Sequence, residues 1–515
     1  MNPRHFIQRA GPKKQRTQVP GMREVHKQAR KGIRLLLVRQ GFLQVFTFLG
    51  GIVLARVLNP ADFGLFGITT FLVNILALFA DFGMSPALIQ RKKEISDRDL
   101  QIGFTMKQVL VSVVVVMLWF GAPWLASFYP KDTLALIWLV RAMGFSLYLN
   151  TWRSISAIQL ERTLRYEKLA VVEVVESLSY QIVAVGMAVM GFGVWSLISA
   201  VLVRGLLGTI LVYVVAPWKV RLDFDREVAM EMLRFGLPFQ LHRVVGNVRT
   251  WVTPTLVASL IGADAVGFLM WASSNGRKPL TVVQNVVRVS LPHFSRIQDN
   301  LPEVKRILSQ YVMYFLVFCG SWFAVIAAAG YPVVELVYTA KWLPAVPALI
   351  LYAGLLNLNA VSWIVKTALS GTGRVKYVMY VTMLTTAISV GLSIVLVLTV
   401  GFIGVPIAEV VSMVVTVPIL ARGLGRTSIR RIFIPSLWVL APLLTAIVAG
   451  YGVRLMGMNL APEAVLSVAV TGLVYLAVSW MFGPKWMKKR VLAQKDRVLA
   501  RVRGRAMKGR ETPVV

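Results

Sequence analysis

The sequence predicts an all-α polytopic membrane protein of about fourteen transmembrane helices, arranged as two parallel six-span halves followed by two further spans. Three observations predict this class. Apolar residues fill 57% of the 515 positions and charged residues only 15%, with a mean hydropathy of +0.67; a soluble chain carries roughly a quarter charged residues. Apolar runs of about 20 residues, enough to cross a bilayer, recur along almost the whole chain. The second half also repeats landmarks of the first, in the same order, a little over 200 positions later.

The elements follow in order. Residues 1–34 form a basic tail with ten Lys and Arg, and the first six spans are 35–58, 63–80, 109–127, 134–152, 169–190 and 194–216. The tail and first run mimic a signal peptide, but the run is too long and lacks a small-residue cleavage site, so it reads as a span. A linker at 217–234 leads to a second set at 236–261, 265–287, 310–330, 343–365, 377–400 and 402–421. Spans at 434–456 and 464–483 and a tail at 484–515 with eleven Lys and Arg complete the chain. The domains are therefore 35–216, 235–421 and 434–483. Lys and Arg crowd the even-numbered connections and both tails, while the odd-numbered ones hold little beyond Lys131, Lys341 and Arg454. Positive charge marks the cytoplasmic side, so both termini are expected there. A six-span repeat keeps its orientation, which makes the halves parallel rather than inverted.

The repeat rests on four anchors. Ala55, Leu58, Pro60, Phe63, Gly64 and Leu65 return as Ala258, Ile261, Ala263, Val266, Gly267 and Phe268. Ser127-Phe128-Tyr129 returns as Leu336-Val337-Tyr338, Thr163-Leu164-Arg165 as Thr372-Gly373-Arg374, and Gly191-Phe192-Gly193-Val194 as Gly401-Phe402 with Gly404-Val405. The shared offset of 203 to 211 carries the argument, since apolar matches are cheap singly. Two such halves around a central pathway are a common transporter plan.

Composition also excludes functions. The net charge of +33 is concentrated in the tails, which suit anionic headgroups of the cytoplasmic leaflet; no nucleic-acid fold accompanies it, so no nucleic-acid partner is expected. The single cysteine, Cys319, lies in an apolar run and the four histidines are scattered, so neither a disulfide framework nor a metal site is expected, and no cofactor.

Charges inside the spans point to a site. Arg39, Arg141, Arg204, Arg243, Arg249, Arg277 and Lys278 fall within them, against Glu173, Glu176 and Glu409, with Asp81 closing the second span. A cation in a membrane helix costs about 2.5–3.5 kcal/mol and usually faces a cavity or a partner. Seven cations against four anions leave a positive surplus. A basic, water-filled cavity between the halves would hold that surplus and attract an anion. Arg39, Arg243 and Arg249 equally suit snorkelling from span ends. Gln44 falls on Asn247 under the 203-residue offset, and Asn275 adds a polar group in the eighth span, so these are the polar cavity candidates. Glu173, Glu176, Glu409 and Asp81 are candidates for coupling to proton or sodium flow, and each equally suits a structural ion pair. Pro238, Pro254, Pro279, Pro406 and Pro418 mark places where a span can bend.

Residues 54–65, Leu54-Ala55-Arg56-Val57-Leu58-Asn59-Pro60-Ala61-Asp62-Phe63-Gly64-Leu65, and residues 79–91, Phe79-Ala80-Asp81-Phe82-Gly83-Met84-Ser85-Pro86-Ala87-Leu88-Ile89-Gln90-Arg91, resemble bacterial polysaccharide flippases of the Wzx type. The resemblance is to the colanic acid and teichuronic acid exporter branch of the multidrug/oligosaccharidyl-lipid/polysaccharide superfamily, and covers about 35–485. It implies two six-helix bundles facing each other in a V and a cationic central cavity. It also implies transfer of an undecaprenyl-diphosphate-linked oligosaccharide across the bacterial cytoplasmic membrane, with a polymerase or chain-length and export machinery as further partners. Such a protein makes or breaks no bond and is not an enzyme. A multidrug exporter of the superfamily would want acidic cavity residues; a lipid II flippase would share the basic cavity. A membrane glycosyltransferase, polymerase or ligase would want a large external loop with catalytic carboxylates.

Overall fold

The computed structural model describes residues 41–81, 84, 96–129, 133–162, 165–218, 220–234, 240, 254–425, 428–486 and 488. These residues are helices and short connections, with no strand among them. Ten stretches of them are long and apolar enough to cross a membrane, and one, Val375–Arg422, is itself two helices. The first half contains α1 (Gly41–Val57), α2 (Pro60–Asp81), α3 (Asp97–Ser127), α4 (Thr133–Arg162), α5 (Tyr166–Val189) and α6 (Trp195–Val215). The second contains α7 (Ala263–Gly276), α8 (Leu280–Arg296), α9 (Leu301–Tyr338), α10 (Val346–Gly371), α11 (Val375–Val400) and α12 (Gly404–Arg422). Two more, α13 (Leu440–Arg454) and α14 (Leu460–Phe482), follow. The first span is described only from Gly41, and the seventh only at Gln240 and 254–260.

Two expectations are corrected. The eighth span, read as one helix over 265–287, is broken: α7 ends at Gly276, Arg277–Lys278–Pro279 form a turn, and α8 runs on to Arg296. Pro279 has no N–H to donate into the helix and its ring crowds the preceding turn, so the break is chemical. Several helices also outrun their apolar segments. The clearest is α3, which starts at Asp97 rather than 109 because Ser96 and Asp99 close a capping box around its first turn.

The helices sort by packing. In the first half α3 and α4 pack on α2 and on each other, and α6 packs on α4 and α5. In the second, α10 is the centre and touches α7, α8, α9 and α12. The pair α13–α14 is bolted to α9, where small residues allow close approach. Ser467, Thr471, Tyr475 and Ser479, four residues apart on α14, are all buried, and the Tyr475 hydroxyl donates to the Val317 carbonyl at 3.0 Å. The repeat reappears in the backbone: Gly191 (φ 86°) and Gly401 (φ 75°), equivalent in sequence, both follow helix ends in the left-handed region, which glycine enters without a Cβ penalty.

Candidate functional site

The halves are joined at the end of the bundle that carries Asn59. Here α2 crosses α7, and the contact is reciprocal. A Cβ on Gly64 would lie 1.8 Å from the Ala263 carbonyl oxygen, and one on Gly267 would lie 1.9 Å from that of Pro60. Beside it, the Arg56 guanidinium donates to the carbonyls of Val337 (2.7 Å) and Leu336 (2.6 Å), which end α9 and lack helical partners. Lys341 Nζ donates to the Arg56 carbonyl at 2.8 Å, and the fully buried Trp342 donates Nε1–H to the Ala55 carbonyl at 2.7 Å. Phe63 stands edge-on to Trp342 with centroids 5.3 Å apart, and Tyr129 is hydrogen-bonded to Thr255. Further along α2, Gln240 Nε2 donates to the Leu78 carbonyl at 2.6 Å.

The broken eighth span lies below this junction. At the break two adjacent cations part company. Arg277 turns into the second half, where it meets the Glu409 carboxylate of α12 at 2.5 Å and lies over the Tyr352 ring at 4.5 Å. Lys278 turns toward the first half, its Nζ 3.5 Å from the centroid of Phe48 on α1. Gln44 and Thr47, on the same helix as Phe48, are exposed. On α8, Val283, Ser290 and Phe294 are buried, while Gln284, Asn285, Arg288 and Arg296 are exposed along the helix. Val282, Val289 and Leu291 are exposed among them, so the face is mixed, and its charged and amide groups call for water or a partner rather than lipid.

The other candidates are placed as follows. Asn275 is engaged inside the second half: its amide donates to the Trp271 carbonyl at 2.9 Å, and its oxygen accepts from Tyr338 at 3.1 Å. Arg204 is exposed on α6 and within electrostatic reach of Glu176 and Tyr180. Glu176 itself is buried and paired at 2.9 Å with Arg153 of α4. Its carboxylate fills the space over Gly208, where a Cβ would lie 1.9 Å from its oxygen. Glu173 is half-buried one turn before it. Arg141 is apart from all of these, donating to the Trp119 carbonyl at 3.1 Å and lying 4.8 Å and 5.1 Å from the rings of Trp119 and Trp138. Arg39, Arg243, Arg249 and Asn247, and the side chain of Asp81, lie outside the described residues.

Sequence reasoning missed Arg153, Lys107 and Arg288. Arg153 and Arg288 lie one residue beyond the ends assigned to their spans, and Lys107, buried with Nζ donating to Ser154 at 3.2 Å, lies two before 109. Continuing the helical repeat through each first charge would have found them.

A fold of two helical bundles meeting around a polar broken helix defines a class, and comparison with known proteins agrees. The structure resembles a lipid II flippase, MurJ, in an inward closed conformation, with a TM-score of 0.71 at 16% identity, covering 87% of this chain and 98% of that one. An inward-facing multidrug resistance transporter of the MATE family, of the MOP superfamily, matches with a TM-score of 0.58 at 16% identity, over 76% and 94% of the two chains. These likenesses show the fold alone, that of a multi-pass helical membrane protein. Residues 53–347, more than half of the chain, match the polysaccharide biosynthesis protein family, and the chain belongs to it. It is 23% identical over 309 residues to the succinoglycan biosynthesis transport protein ExoT of Rhizobium meliloti, covering 60% of this chain and 61% of the relative. It is 25% identical over 301 residues to the teichuronic acid biosynthesis protein TuaB of Bacillus subtilis, covering 57% and 60%. The chain thus spans about three fifths of the curated relatives it matches.

Proposed function

We propose that the protein is a flippase that carries undecaprenyl-diphosphate-linked oligosaccharide repeat units across the cytoplasmic membrane for polysaccharide biosynthesis. Membership of the polysaccharide biosynthesis family and the flippase fold support the class. The observation that carries the substrate reading is the broken eighth span, which turns Lys278 toward α1 and exposes Gln284, Asn285 and Arg288 on α8. A diphosphate is an anion that a cation in a low-dielectric cleft holds strongly, and amides suit sugar hydroxyls. Arg204 extends the basic lining from the first half, while the hydrocarbon tail stays in the bilayer. With both termini cytoplasmic, the Asn59 end is the outer end; it is closed here, and rocking of one half against the other would open it. Glu173, Glu176, Glu409 and Asp81 are the residues through which a proton or sodium gradient would act, and no covalent step is involved. A polymerase and chain-length or export machinery would take the product.

The test is the leaflet that holds the substrate. Cells carrying Lys278→Ala or Arg204→Ala, with the protein present in the membrane at normal level, should accumulate complete lipid-linked repeat units on the cytoplasmic side. Normal export by the double variant would remove the cationic site. Repeat units that cross but stay unpolymerised would instead favour a membrane polymerase. A lipid II substrate would show as impaired peptidoglycan precursor transfer.

A further inference from the structure

Arg277 and Lys278 are neighbours in sequence with opposite destinations, and the reason lies 132 residues away. Arg277 is the C-cap of α7, with its N–H still bonded to the Ser273 carbonyl at 3.1 Å, and Pro279 caps α8. The turn has its own backbone bonds, from Lys278 N–H to the Asn275 carbonyl at 3.4 Å and from Leu280 N–H to the Arg277 carbonyl at 2.9 Å. Side chains tie it to the second half: Glu409, buried on α12, holds the Arg277 guanidinium at 2.5 Å, and Tyr352 of α10 lies against the same group. Trp322 donates to the Gly276 carbonyl at 3.0 Å and ties the end of α7 to α9. With Arg277 drawn into the second half, the next residue emerges on the other side of the turn, over Phe48.

We infer that Glu409 is a positioning residue for transport: by anchoring Arg277 inside the second half it sets the turn between α7 and α8 so that Lys278 points across to α1. Glu409 therefore never meets the substrate, and Arg277 is the anchor rather than a ligand. A carboxylate left without its partner in a membrane interior is costly, so the pair also holds the turn that Pro279 opens in one registry. The inference rests on the reading that Lys278 serves the substrate.

The test uses the full chain in membranes with Cys319→Ser. Phe48→Cys and Lys278→Cys report the turn by cross-linking with a short bis-maleimide, since the contact runs through the tips of long side chains and a direct disulfide needs closer backbones. Tyr129→Cys with Thr255→Cys reports the distant junction of the halves in the same way. Glu409→Gln should lower the 48–278 cross-linking rate about tenfold, in the range of a coupled pair, and leave the 129–255 rate unchanged. An unchanged 48–278 rate would overturn the assignment. If both rates fall, the charge reversal Arg277→Glu with Glu409→Arg decides: recovery of the 48–278 rate supports positioning, and no recovery overturns it. In the chain without the reporter cysteines, Glu409→Gln added to Lys278→Ala should impair export no further than Lys278→Ala alone; additive loss would make Glu409 an independent contributor. Normal export by Lys278→Ala would end the substrate reading while leaving the cross-linking result intact.

Discussion

Gly64 and Gly267 stand 203 positions apart and make the same contact with roles exchanged, each pressing its bare Cα against the first turn of the other's helix. Pro60 and Ala263, the residues they press on, are themselves repeat-equivalent. The junction of the halves is therefore close to two-fold symmetric, although the two halves are one chain.

Either Gly64→Ala or Gly267→Ala should force the Asn59 end apart. The obstacle in each case is a backbone carbonyl, less than 2 Å from the new methyl, and it cannot rotate away as a side chain would. Overpacking of this kind costs about 1–3 kcal/mol, enough to shift a two-state equilibrium about five- to hundredfold. The expected outcome is loss of 129–255 cross-linking and gain of labelling of the Asn59-end cavity by a membrane-impermeant thiol reagent. Because one contact plane serves both, the double variant should add little to either single one. Unchanged labelling would mean that the junction does not open as a unit.

The same junction has an asymmetric part. Arg56 aligns with Ser259 under the 203-residue offset, so its fork of bonds to the end of α9 has no counterpart. Trp342→Phe should be the more damaging change here, since it leaves the buried Ala55 carbonyl without its donor, a loss of about 1–3 kcal/mol. Arg56→Lys keeps the charge but loses the planar fork, and should raise thiol labelling at this end only a few-fold. A larger effect from Arg56→Lys than from Trp342→Phe would reverse that ranking.

Much of this junction is legible in sequence, and the charge pairing is not. Gly64 and Gly191 return at fixed offsets because a close approach and a left-handed turn each admit almost nothing but glycine. Pro279 likewise announces a break in its span. What hydropathy cannot convey is where a charge finds its partner. Glu409 is 132 residues from Arg277, and Arg153, 23 residues from Glu176, lies just outside an apolar window. A count of charges within windows therefore cannot say which cations are paired, since it omits Arg153, the partner of Glu176, and does not show that Arg277 meets Glu409.

That pairing in the first half has its own consequence. Glu176 is almost wholly buried against Gly208, with Arg153 at 2.9 Å. Removing one partner of a buried pair strands the other charge, at about 3–5 kcal/mol, whereas removing both is far milder. Arg153→Met should therefore lower the unfolding temperature in detergent more than Arg153→Met with Glu176→Gln, and Glu176→Gln alone should fall between the double variant and Arg153→Met. Gly208→Ala should resemble the single variants by displacing the carboxylate. If Arg153→Met and the double variant melt together, the pair carries no stability.

Arg141 and Lys278 provide the sharpest contrast among the cations, because both lie against aromatic rings yet in different surroundings. Arg141 sits between Trp119 and Trp138, both well exposed, and the exposed neighbours along α3, Val113, Val116, Met117, Phe120 and Trp124, are all apolar. A face of that composition meets lipid, and an arginine held between two tryptophans there can reach toward the interface and anchor the helix. Cation–π contacts of this kind are worth about 0.5–2 kcal/mol, so Arg141→Ala should lower thermal stability modestly and leave export within about twofold of normal. Lys278 instead faces α1, whose exposed residues around Phe48 include Gln44 and Thr47 as well as Val45 and Leu49. Lys278→Ala should impair export strongly, with residual transport, and with little change in stability. Both variants measured for melting temperature and for leaflet of the lipid-linked saccharide separate the roles, and an Arg141→Ala protein that folds normally but fails to export would place Arg141 on the substrate path after all.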